Sequence, residues 1–461
     1  MNNLDMALKF GQVLLPEGLV EANIGVKDGA IVTIAKDPAL PPAKKVIEAE
    51  GLIIIPGLID AHVHLRDPGH PEKEDFTSGT MAAAAGGVTT VLEHPVSVPS
   101  VHSVETLASK YAICNEKAVI DFGLYGGAGT TSIKEIGPLA ENGVVAFKTF
   151  LFKSPPDRID EHHGLEVDGD GELLDVFSAV AQTGLPSCIH AENDDIVQHR
   201  TRELIASGQV DPMAVNLGRP LIAELEAVSR AILFAEETGV HLHICHVSSG
   251  SVAEIIGRAK KRGVSVTAET CVHYLLQTDE CLMQLGPYGK IHPPLRSQDE
   301  QDKLWENLLN GAIDTIGSDH APHTTAVKDR GKDNIFMAPG GYPGLETTLV
   351  LLLTEVNKGR LSLNLLSELV SKNVARTFGL YPRKGTISIG ADADLVIVDM
   401  NKKQTISADK LYTRCRESAK LFDGWQTVGA PTMTIVRGEV VMENGDVIGK
   451  PGYGKIISPI K

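Results

Sequence analysis

Hydrophobic and polar positions follow two different rhythms along the chain. Residues 1–55 carry short apolar runs separated by glycine turns, in Met6–Val13, Glu21–Val26, Ile31–Ala35 and Val46–Glu48. Short alternating runs of this kind predict a small antiparallel sheet. The same texture returns in Gly385–Asp399 and Thr432–Ile448. Neither piece holds enough strands to stand alone, so residues 1–55 and 384–461 are expected to build one small β-sandwich domain.

Residues 56–383 instead repeat apolar strand, polar turn and amphipathic helix. Strands are predicted at Ile53–His64, Val88–His94, Val119–Gly126, Val144–Leu151, Pro186–Ala191, His241–Val247, Val264–Glu269 and Ile313–Asp319. Helices fall between them, among them Ser132–Glu141, Leu221–Thr238, Val252–Arg262 and Glu300–Leu309. Glycine-bearing connections close most of these helices, as at Gly143, Gly239, Gly263 and Gly311. Strands alternating with helices predict parallel pairing, and eight of them close a (β/α)₈ TIM-like barrel of the α/β class. A doubly wound open sheet is the alternative, but no glycine-rich phosphate loop follows the first strand.

A barrel carries its functional residues at the C-terminal ends of its strands. The first strand ends in His62 and His64, two apart, so both imidazoles leave on one side. Lys148 lies in the fourth strand, His190 closes the fifth, His246 the sixth and Asp319 the eighth. One histidine at a strand end reads as an ordinary rim residue, and one aspartate as a cap. Four imidazoles, a lysine and a carboxylate on one rim point to a metal site. An ammonium cannot bind a metal. Lys148 is therefore either a buried salt-bridge partner or a carbamate, formed by a neutral amine with carbon dioxide and able to bridge two ions. The donor count suits two divalent ions.

Composition narrows the class. At 461 residues, 43% hydrophobic and a net charge of −16, the chain suits one large domain plus a smaller one and argues against a nucleic-acid surface. Six cysteines without a C-x-x-C pair predict a reducing, cytoplasmic setting. No signal-like segment opens the chain, and no run approaches the ~18 apolar residues of a membrane span.

The motifs resemble the amidohydrolase superfamily, within it the cyclic-amide hydrolases: hydantoinases, allantoinases and dihydroorotases. The resemblance rests on Pro-Gly-Leu-Ile-Asp-Ala-His-Val-His (56–64), Ala-Gly-Gly-Val-Thr-Thr (85–90), Phe-Lys (147–148), His-Ala-Glu-Asn (190–193) and His-Val-Ser (246–248). Glu-Thr-Cys-Val-His-Tyr-Leu (269–275), Pro-Pro-Leu-Arg (293–296), Ser-Asp-His-Ala-Pro-His (318–323) and Gly-Ala-Asp-Ala-Asp-Leu-Val (390–396) complete it. It spans the chain end to end. It implies two zinc-like ions: His62 and His64 on the buried one with Asp319, His190 and His246 on the outer one, and carboxylated Lys148 bridging. It further implies a homotetramer or homodimer, and a cyclic ureide or amide as substrate. Two cations flanking a water favour hydroxide at neutral pH; the hydroxide attacks the ring carbonyl while Asp319 moves the proton to the leaving nitrogen. Arg66, Lys153, His292 and His323 are the candidate substrate contacts.

Two departures bear on the ring that is opened. Dihydropyrimidinase-type hydantoinases place a tyrosine where Lys153 stands. Dihydroorotases grip a substrate carboxylate with an Arg, here Arg66, and an Asn from Met-Pro-Asn-Thr, where this chain reads Glu-His-Pro-Val-Ser (93–97). Without that function, Arg66 is expected to pair with Asp67 or Asp75. Segments 119–127 and 422–431 look like those of L-selective hydantoinases, so a hydantoin or allantoin ring is expected, with dihydroorotate the alternative. A non-catalytic scaffold of the same fold is the rival of another class, and all six ligand positions being present counts against it.

Overall fold

The computed structural model describes residues 3–37, 39–154 and 158–460. The N-terminal strands are β1 (Leu4–Leu15), β2 (Gly18–Lys27), β3 (Ala30–Ala35), β4 (Ala43–Glu48) and β5 (Ile53–Pro56). The middle of the chain supplies β6 (Leu58–Val63), β7 (Val88–Glu93), β8 (Asp121–Leu124), β9 (Gly126–Gly127), β10 (Phe147–Phe150), β11 (Ser187–His190), β12 (Leu242–Ile244), β13 (Val266–Cys271) and β14 (Thr315–Gly317). The C-terminal part adds β15 (Leu395–Thr405), β16 (Gln426–Val436), β17 (Glu439–Glu443) and β18 (Asp446–Val447).

Strands from both termini share one nine-stranded sheet, in the order β18-β17-β16-β15-β5-β1-β2-β3 with β4 also on β1. It is not purely antiparallel as its texture suggests: β4 and β5 both run parallel to β1. The middle strands form two parallel sheets, β6-β7-β8 and β14-β13-β12-β11-β10-β9, so this region is α/β. Both faces of these strands are buried, which is why their sequences read as nearly continuous apolar runs.

The expected first strand, Ile53–His64, is two strands. At Gly57 the backbone changes partners: Gly57 donates to the Asp394 carbonyl at 2.8 Å, and Leu58 donates to that of Gly87 at 3.2 Å. A Cβ at Gly57 would lie 2.3 Å from Thr89 Oγ1, so only glycine lets β5 and β6 pass through this corner. The expected third strand also divides, because Tyr125 donates to Glu93 while Gly126 turns to Ala146. Of the helices, Leu221–Thr238 is observed with its expected limits, closed by Gly239 at φ +71°. Ser132–Glu141 divides into a 3₁₀ turn, Thr130–Glu135, and the helix Ile136–Glu141. No described helix is long and apolar enough to cross a membrane, and the six cysteines are free thiols.

A buried charge cluster ties β8 to the C-terminal strands. Lys384 Nζ lies 2.8 Å from Asp121 Oδ2 and 2.6 Å from Asp394 Oδ2, and Arg437 Nε donates to Asp121 at 3.0 Å. Removing one partner of a buried pair leaves uncompensated charge, at a cost of about 3–5 kcal/mol. Lys384→Met is therefore expected to lower unfolding stability by that order in a urea titration. A loss below about 1 kcal/mol would show that the cluster contributes little.

Candidate metal centre and catalytic site

The parallel strands deliver the candidate residues to one end. His62 lies in β6 with His64 just beyond it, Lys148 lies in β10, and His190 is the last residue of β11. His246 and Asp319 each follow their strand, β12 and β14, by two residues. His246 (φ +41°), Asp319 (φ +46°) and Arg66 (φ +59°) are all left-handed, a conformation costing non-glycine residues about 1–3 kcal/mol.

His62 Nε2 lies 3.3 Å and His64 Nε2 3.5 Å from Asp319 Oδ1. Ligands about 2.1 Å from a tetrahedral zinc stand roughly 3.4 Å apart. The three donors thus have the spacing of one metal's ligands. Across the site, His190 Nδ1 and His246 Nε2 are 3.0 Å apart, and the His62 and His246 rings are 5.1 Å apart.

Carboxylates behind the rings fix which nitrogen is free. Glu269 sits 2.6 Å from His62 Nδ1, leaving Nε2 to face Asp319. Glu192 lies 2.9 Å from His190 Nε2, leaving Nδ1 toward His246, and Arg219 pairs with Glu192. Such partners hold ligand rings in one tautomer and orientation. Burial keeps His64, His190 and His246 below the ordinary histidine range, so they present lone pairs; Glu192 partly offsets this at His190. His62 differs. Burial opposes its charge, but Glu269 and Asp319 raise it to about 10. Two carboxylates around one ring call for a cation, which a divalent ion supplies in place of the proton. The residues present therefore fit a metal.

Lys148 is fully buried, and its Nζ lies 3.3 Å from Cys245 Sγ and 5.0 Å from the Phe150 ring centre. Among the described residues no carboxylate pairs with it, so a salt-bridge role has no partner here. Burial pushes Asp319 up to about 6, against the pull of His62 and Lys148.

The candidate substrate contacts divide. His323 is buried with both ring nitrogens unpartnered, and His292 Nε2 is buried and unpartnered. Lys153 is exposed on a cavity of about 460 Å³ that it shares with Asp168, Asp194 and Arg230 and that none of the six candidate ligands lines. Arg66 pairs with neither Asp67 nor Asp75. Its Nη1 reaches Glu161 at 3.4 Å, because Asp67 is taken by Lys117 and Asp75 by Arg414.

Sequence reasoning left Glu269, Glu192, His94 and Glu161 without roles. His94 stacks on His62 at 4.0 Å. Glu269 and Glu192 had a signal, since they lie within or just past β13 and β11, where the strand-end rule applies. Glu161 had none.

The Amidohydrolase family matches residues 53–441. The L-hydantoinase of Paenarthrobacter aurescens is 36% identical over 98% of this chain and 98% of its own. An allantoinase of Deinococcus radiodurans is 36% identical over 99% of each. Among solved structures, an L-hydantoinase (dihydropyrimidinase) from Arthrobacter aurescens superposes with a TM-score of 0.94, covering 99% of this chain and 100% of that one at 36% identity. The family match over residues 53–441, with relatives 36% identical over nearly the whole length, makes this chain a member of the amidohydrolase family.

Proposed function

We propose that this chain hydrolyses a cyclic amide, opening the C–N bond of a five-membered ureide ring such as hydantoin or allantoin with the help of two divalent ions. The observation that carries the reading is the donor set: His62, His64 and Asp319 at ligand spacing, beside the His190–His246 pair and a buried, unpaired Lys148. His62, His64 and Asp319 would hold one ion, and His190 and His246 the other. Carboxylated Lys148 would bridge them: its neutral amine bonds to the carbon of carbon dioxide and releases a proton, giving an anionic oxygen donor. The nitrogen and oxygen donors suit zinc. When bound, the ions supply a water acidic enough to ionise near neutrality and polarise the ring carbonyl.

The chain's own residues do the rest. Glu269 and Glu192 hold His62 and His190 in the tautomers that leave Nε2 and Nδ1 free. The Asp319 carboxylate takes a proton from the attacking water. As the C–N bond breaks, it gives that proton to the leaving ring nitrogen, serving as base and then acid. His292 and His323, whose buried nitrogens have no partner among the described residues, would hydrogen-bond the ring or its oxyanion. Lys153 is a candidate donor only if its chain turns inward from the outer cavity.

We also propose that residues 56–383 form a closed (β/α)₈ barrel, with a small β domain from residues 1–55 and 384–461. Contacts across both seams support closure: His64 donates to the His320 carbonyl at 2.8 Å, and Val145 to that of Leu124 at 2.9 Å.

The test is a panel of rings, with each enantiomer of 5-substituted hydantoins, allantoin, dihydrouracil and dihydroorotate, followed by release of the ureido acid. A hydantoin or allantoin is expected to have the highest kcat/KM. Dihydroorotate at the head of the panel would replace this substrate assignment with the dihydroorotase one.

A further inference from the structure

Glu161 is the meeting point of a cationic cluster beside the candidate site. Arg158 donates to its Oε2 through Nε at 2.9 Å and Nη2 at 2.5 Å, and Arg66 Nη1 lies 3.4 Å from the same oxygen. Lys73 Nζ (3.4 Å) and His70 Nε2 (3.1 Å) face Oε1. The carboxylate and Arg66 are both about 4% exposed. Burial works against ionised Glu161, yet Arg66 and Arg158 hold its carboxyl well below the usual range, so it carries charge at any working pH.

Arg66 is poorly served by this partner. Its contact is long, and among the described residues its buried Nε has no partner. A guanidinium prefers two short, parallel bonds to a carboxylate. It stands two residues after His64, and its charge bears on both His64 and His323. It thus lies where an anionic substituent on a bound ring would reach it, and Glu161 is already there.

We propose that Glu161 is a specificity-determining residue: an internal carboxylate that occupies Arg66 and repels rings bearing a carboxylate, leaving neutral ureides as substrates. The proposal rests on the ring-opening reading above. Discrimination here comes from a like charge set against the wrong ligand. The counter-charge of Arg66 sits 95 residues away in sequence, on the short helix Ile159–His162.

Affinity for hydantoin-5-acetate and for neutral 5-ethylhydantoin, measured by calorimetry on the metal-loaded protein, tests the proposal independently of turnover. In Glu161→Gln the preference for the anionic ring is expected to rise by about tenfold or more, one decade corresponding to the constant of 1.4 kcal/mol. Adding Arg66→Met should abolish the gain. Glu161→Asp withdraws the charge from Arg66 without deleting it, so it should show a smaller gain and covers the case in which glutamine prevents folding. An unchanged preference in the folded variants, or a gain that survives loss of Arg66, overturns the proposal. Failure of the wild-type protein to open any ring of the panel, neutral or anionic, would instead overturn the ring-opening reading, while the calorimetric preference still decides the role of Glu161.

Discussion

Lys148→Ala is expected to cost the protein at least one metal equivalent and nearly all ring-opening activity. Lys148 is fully buried, and among the described residues no carboxylate pairs with it. As the proposed carbamate it would supply anionic oxygen donors to the divalent ions. Alanine removes that bridge and leaves His190 and His246 as the only protein donors proposed for the outer ion. Short carboxylic acids or bicarbonate should restore part of the activity by entering the vacated space. Circular dichroism and elemental analysis on the same sample separate a lost ligand from a collapsed core. An alanine variant with full metal content and full turnover would remove Lys148 from the site.

Asp319→Asn should act on the chemical step. The amide keeps the size and one oxygen near His62 and His64, but it cannot take up a proton. Loss of a general acid–base group costs on the scale of ~10²–10⁴ in rate. Asp319 is buried beside His62 and His64, within reach of the reacting centre. The expected result is a kcat reduced by that factor, with KM changed far less and metal content recorded alongside. Near-normal turnover at saturating substrate would assign the proton to another group.

The ligand cluster was legible because its signal is local. His62 and His64 share a face through the period of two, and His190, His246 and Asp319 each close an apolar run. What local patterning cannot carry is a change of partner. Within Leu52–Ile59 only the Pro56-Gly57 pair marks the corner locally, and its cause is Thr89, more than thirty residues on. The helix Thr348–Asn357 has no polar stripe to betray its period, since it is buried on nearly every side. The pairing of Arg66 had the same difficulty. Asp67 and Asp75 are near in sequence, but Lys117 and Arg414 hold them, and Glu161 comes from another part of the chain. Glu269 and Glu192 stood at the right strand ends, yet a carboxylate behind a histidine is recognised only when both side chains are in view.

Metal-dependent ring opening is tested most directly by following one preparation through chelation and reconstitution. The purified protein is expected to carry two divalent ions per chain and to open hydantoin or allantoin. Stripping the ions should abolish that activity, and adding back zinc with bicarbonate should restore it. Undiminished turnover by metal-free protein would contradict the proposed chemistry at its root.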